Sequence, residues 1–85
     1  MKKGLFNKVK NLPTRRRFVV STIRKGESAF ETAIFEANLF YLPRNWSQPT
    51  AVVATGTQDE AWDTHYRLTV RLTNELPVRV FQEFS

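Results

Sequence analysis

A chain of 85 residues makes one domain at most, and at this size only about 60% of the unfolded surface is buried, which leaves little room for a deep catalytic cleft. It has no cysteine, so a disulfide framework, a thiolate nucleophile and sulfur-ligated metal sites are excluded. The net charge of +5 is segregated: residues 1–26 hold nine lysines and arginines and no acid, whereas residues 27–85 hold four arginines against eight acids, a net of −4.

Such a basic segment on a mildly acidic body points to an anionic partner for the segment. No apolar run reaches the roughly 18 to 20 residues needed to cross a bilayer, so no transmembrane segment is expected. Asn7, Lys8, Lys10 and Asn11 interrupt what would have to be the apolar region of a signal peptide.

Taken in order, Leu5, Phe6, Val9 and Leu12 fall on one helical face, Lys3, Lys8 and Lys10 tend away from it, and Pro13 stops the segment. The spacing predicts a short amphipathic helix within a basic N-terminal arm, residues 1–16. So short a helix is marginal alone, below about 12 to 15 residues, and its stripe needs the body, a partner or a membrane surface. Arg15, Arg16 and Arg17 then lead into Phe18, Val19, Val20, Ser21, Thr22 and Ile23, a β-branched run closed by Gly26 that reads as a strand. Adjacent arginines alternate between the two faces of a sheet, so at least one should lie flat against the body.

Residues 30–38 carry conflicting signals. As a helix they offer an apolar stripe of Phe30, Ala33, Ile34 and Ala37 that continues to Phe40 and Tyr41, a Ser28/Glu31 capping box and the stop at Pro43, and periodicity alone slightly favours this reading. As a strand they place Phe30, Thr32, Ile34, Glu36 and Asn38 on one side and Glu31, Ala33, Phe35, Ala37 and Leu39 on the other. Residues 39–49 are a loop rich in turn formers, with aromatics Phe40, Tyr41 and Trp46 beside Arg44. Residues 51–55 form a further strand ending at Gly56.

Thr57, with Glu60 three residues on, opens a helix that gathers Ala61, Trp62, His65, Tyr66, Leu68, Thr69 and Leu72 on one side and ends at Asn74. Residues 65–72 also alternate like a strand, and the cap favours the helix. After Pro77, the alternation of Val78, Val80 and Phe84 predicts a fourth short strand or an extended tail on a sheet edge.

The run VVSTI at 19–23, FETAIFE at 30–36 and TQDEAWDTH at 57–65 resembles a group of short uncharacterised bacteriophage proteins with a VSTV-like strand, an FETMVF-like strand and a helix of Thr, Glu-Ala and His. The matching positions are Ser21, Thr22, Phe30, Glu31, Thr32, Phe35, Thr57, Glu60, Ala61 and His65. The resemblance implies a strand–strand–helix core, with 30–38 a strand paired to 17–24, and a phage origin. The basic extension is no part of that pattern. The expected fold is α+β: a small antiparallel sheet of three to four strands packed by one amphipathic helix in residues 17–85, with the basic arm in front.

Chemistry is sparse. His65 is the only histidine and lies on the apolar side of its helix, where a hydrogen-bonded core role suffices. No nucleophile elbow or phosphate loop is present, Glu31 and Glu36 face opposite ways on a strand, and Asp59, Glu60 and Asp63 suit a helix N-terminus. The chain reads as a non-enzyme without cofactor or metal.

The expected function is that of a phage-type accessory protein. Its basic arm, Lys2, Lys3, Lys8, Lys10, Arg15, Arg16 and Arg17 with Arg24 and Lys25 behind, contacts a polyanion, nucleic acid first of all. No recognised motif supports sequence-specific readout. The alternative is a virion component or host-protein inhibitor docking through the arm, the loop aromatics Tyr41 and Trp46 with Arg44, and the C-terminal strand. A third, less favoured reading lays residues 2–12 on a membrane surface. The expected location is the cytoplasm of an infected cell or the virion.

Overall fold

The computed structural model describes residues 4–83. Four strands, β1 (Gly4–Lys10), β2 (Arg17–Gly26), β3 (Ala29–Ala37) and β4 (Ala51–Thr55), precede two helices, α1 (Gln58–Asn74) and α2 (Pro77–Gln82). The strands form one antiparallel sheet in the order β1-β2-β3-β4, each paired with its sequence neighbour. The fold is therefore α+β, with a four-stranded sheet, one long helix and one short one.

Alternation assigns the residues to two faces. On one face Val9, Phe18, Val20 and Ile34 pack against Leu68, Leu72 and Val80 of the helices, with Ala51, Val53 and Phe81 at the margin. Full burial of Phe18, Ile34 and Leu72 contributes about 1.5–3 kcal/mol each. On the opposite face Val19, Ala33, Phe35 and Ala37 make a second cluster, closed by Tyr41 from the loop between β3 and β4. Both faces of β3 are thus apolar, which is why its sequence also satisfies a helical period.

Helix α1 begins as expected: Thr57 is the N-cap, and its hydroxyl accepts from the Glu60 backbone N–H at 3.1 Å. The Glu60 carboxylate accepts from the Thr57 hydroxyl at 3.2 Å, which closes the box through the side chain. Ala61, His65, Leu68 and Leu72 form its buried stripe, while Tyr66 lies outside it and is half exposed.

Two expectations are corrected. Residues 4–10, read as a short amphipathic helix in a separate arm, are strand β1, paired along its length with β2 from Gly4↔Ile23 to Lys10↔Arg17. Of the supposed helical stripe only Val9 is fully buried, and Phe6 and Leu12 are exposed, as period two requires for Phe6. The C-terminal strand is α2: Pro77 opens it at a position where its fixed φ suits a helix, and Pro77 and Val80, three apart, are buried. Lys2, Lys3 and Phe84 lie outside the described residues.

The core also contains a polar chain. His65, Thr22 and Thr32 are fully buried. His65 Nε2 lies 2.6 Å from Asn7 Oδ1, His65 Nδ1 lies 2.8 Å from Thr22 Oγ1, and the two threonine hydroxyls are 2.6 Å apart. One assignment satisfies every atom: Thr32 donates to Thr22, Thr22 to Nδ1, and Nε2–H to Asn7. His65 is therefore structural, bonded to side chains of β1 and β2.

Candidate functional site

The sheet face turned away from the helices is only partly covered. By register its rows read Gly4–Ile23–Glu31–Ala54, Phe6–Ser21–Ala33–Val52, Lys8–Val19–Phe35, and Lys10–Arg17–Ala37. Lys8, Lys10 and Arg17 are therefore neighbours at one end of this face, with Phe6 one row further along. Successive rows lie two residues apart, about 6.8 Å. Phe6 is 50% exposed.

The loop of residues 38–50 crosses this face. Asn38 begins it with a tight turn, its side-chain oxygen accepting from the backbone N–H groups of Phe40 and Leu42 and its carbonyl from that of Tyr41. Tyr41 sits in the left-handed region at φ 59°, which costs a non-glycine residue about 1–3 kcal/mol. Its packing on Val19, Phe35 and Ala37 offsets that cost. Two cations add to it: Lys8 Nζ lies 6.0 Å and the Arg17 guanidinium 5.7 Å from the ring centre. Further on, Asn45 accepts from the N–H and hydroxyl of Ser47, and this second turn sets Trp46 against Phe35, ring centres 5.2 Å apart. Trp46 remains 61% exposed.

The other basic residues divide. Arg16 turns to the helix side, where it pairs with Glu36 at 3.0 Å and lies over the Phe18 ring. Arg24 donates to the carbonyls of Gly26 and Glu27 and covers Phe30. Lys25 is 3.9 Å from Glu31. Arg15 occupies the β1–β2 turn at φ 64°. Arg44, next to Arg16 and Arg17, lines a small depression with Glu36. Among the described residues, Lys8, Lys10, Arg15, Arg17 and Arg44 make no ion pair.

Of the residues nominated by charge, the fold thus brings Lys8, Lys10 and Arg17 together on the open face with Tyr41, while Arg16, Arg24 and Lys25 are engaged elsewhere. Phe6, read from its spacing as part of a helical stripe, joins them on this face. Its signal was the period-two series Phe6, Lys8, Lys10, visible once residues 4–10 are taken as a strand. Lys10 and Arg17 are directly opposite each other, a like-charged pair of a kind that destabilises a ladder.

Among the described residues no group of acids and His65 could hold a metal ion, and no helix is long and apolar enough to cross a membrane. Comparison of the chain with protein-family models, with curated proteins and with solved structures returns no match.

Proposed function

We propose that this protein is a non-enzymatic binding protein for single-stranded nucleic acid, which it takes on the open sheet face. The observation that carries the reading is the opposition of Lys10 to Arg17, with Lys8 beside them and no acid paired to any of the three among the described residues. Facing cations cost the fold stability, and an anion bound between them reverses the sign. Phosphates supply that anion, and the exposed rings of Phe6 and Trp46 supply stacking surfaces of the kind that hold unpaired bases. A duplex hides its bases from such rings, and the helix cations Arg67 and Arg71 are paired to Asp63, Glu75 and Glu83. The kinship with short phage proteins belongs to the same proposal.

Anisotropy of a labelled 12-nucleotide oligo-dT and of the matching 12-base-pair duplex, across a salt series, tests it. Single-strand binding should be the tighter. Three phosphate contacts give a log–log salt slope of about −2. Lys8→Glu combined with Arg17→Glu should abolish binding. Absence of single-strand binding at low salt, or an unaffected double variant, overturns the proposal.

One observation favours a second reading. Leu39, Phe40 and Leu42, at the tip of the Asn38 turn, are 71%, 78% and 58% exposed, an apolar cluster suited to a protein partner. Retention of a partner at high salt, lost in Phe40→Ser, would support it.

A further inference from the structure

A groove of about 420 Å³ runs between Trp46 and the sheet, within the usual size range of small-molecule pockets. Its floor exists because Ala33 is small: opposite it stands Ser21, and the larger Phe35 and Glu31 flank it along β3. One wall is Trp46, fixed by the Asn45 turn and packed on Phe35. The polar groups are few. The Ser21 hydroxyl has no hydrogen-bond partner among the described residues, and neither oxygen of Glu31 accepts a hydrogen bond there, since Lys25 Nζ stands off at 3.9 Å.

We infer that this groove is a nucleobase pocket selective for guanine. The inference rests on the reading of the open face as a single-strand site and adds a base preference to it. A floor of small side chains, Ser21 and Ala33, beside an aromatic wall takes a planar heterocycle. A carboxylate only accepts, so its two oxygens match a base edge that carries two adjacent donors. Guanine, with N1–H beside N2–H₂, is the only common base with that edge. Cytosine and adenine set an acceptor next to their amino group, and uracil and thymine flank N3–H with two carbonyls, so each turns a lone pair toward Glu31. Lys8 and Lys10 lie one and two rows beyond the Ser21–Ala33 row, where the phosphates of flanking nucleotides fall.

The test uses the full chain carrying Trp62→Phe, so that Trp46 is the only tryptophan, and four 11-nucleotide DNAs: oligo-dT and oligo-dT with a central G, A or C. The expected result is quenching of Trp46 and about tenfold tighter binding of the G strand. Glu31→Gln should erase that preference from both sides, weakening the G strand and raising the affinity for oligo-dT, whose carbonyls no longer meet a carboxylate. Trp46→Leu should weaken the G strand more than oligo-dT. Equal, salt-dependent binding of all four strands overturns the guanine pocket and leaves the single-strand reading standing, as does a G preference that survives Glu31→Gln. No binding of any strand overturns both.

Discussion

Asn11 and Leu72 are 61 positions apart, yet the Asn11 side-chain amide donates to the Leu72 carbonyl at 2.5 Å. The same Nδ2 donates to the Glu75 carbonyl at 2.6 Å, and Oδ1 accepts from the Thr14 N–H and hydroxyl. A residue in the β1–β2 turn thus caps the C-terminal end of α1, whose last carbonyls have no partner inside the helix. Leu12 N–H adds a third bond, to the Thr73 carbonyl.

Asn11 is fully buried, so its loss strands those carbonyls away from water. Asn11→Ala should destabilise the fold by about 2–3 kcal/mol. Asn11→Asp should cost more, because an acceptor-only group then faces two carbonyls. Urea denaturation of both variants checks this. A loss below that of a surface substitution would show that the turn does not hold the helix.

This contact also marks where sequence reasoning stops. The β2 and α1 segments were legible because local signals agree: a β-branched run before Gly26, and the Thr57 cap before an apolar stripe. Segment β1 was not, since its apolar spacing fits a helix and its strand identity comes from the pairing with β2. Residues of α2 alternate like a strand, but only a helical turn buries both Pro77 and Val80, and that turn sets Phe81 edge-on against Phe18 of the core. Of the candidate site, charge alone nominated Lys8, Lys10 and Arg17. Their convergence with Phe6 depends on register, which composition does not carry.

Thr55, on β4 opposite Phe30, has a buried hydroxyl with no hydrogen-bond partner among the described residues. Thr55→Val keeps the shape and the strand preference and removes the unsatisfied group. A gain of about 1 kcal/mol is expected, which raises Tm by about 4–8 °C in a domain of this size. A fall in Tm would mean that the hydroxyl is satisfied in solution.

Burial lowers the His65 pKa below its ordinary value, and the side chains bonded to it, Asn7 and Thr22, are uncharged. The unfolded chain therefore takes up a proton at higher pH than the folded one. Stability from this group is complete above the unfolded value of about 6.5, falls as pH drops below it, and levels off beneath the folded pKa. Melting curves between pH 8 and 5 should show that fall, and His65→Gln, which keeps a donor and an acceptor, should flatten it. An unchanged pH profile in His65→Gln would assign the acid sensitivity to other groups.

Position 10 separates stability from binding. Lys10 faces Arg17 across the β1–β2 ladder, so Lys10→Glu converts a repulsive pair into an attractive one. Cross-strand pairs are worth about 0.2–1 kcal/mol, and removal of the repulsion adds to the gain. Tm should therefore rise by a few degrees, with the Arg17 guanidinium retained against Tyr41. If the two cations are kept for a phosphate, the same change should weaken single-strand binding by more than loss of one contact, since a carboxylate then occupies the phosphate's place. Salt dependence should become shallower by the same substitution. A more stable variant that binds oligo-dT as tightly as the parent would show that the facing cations serve no anion.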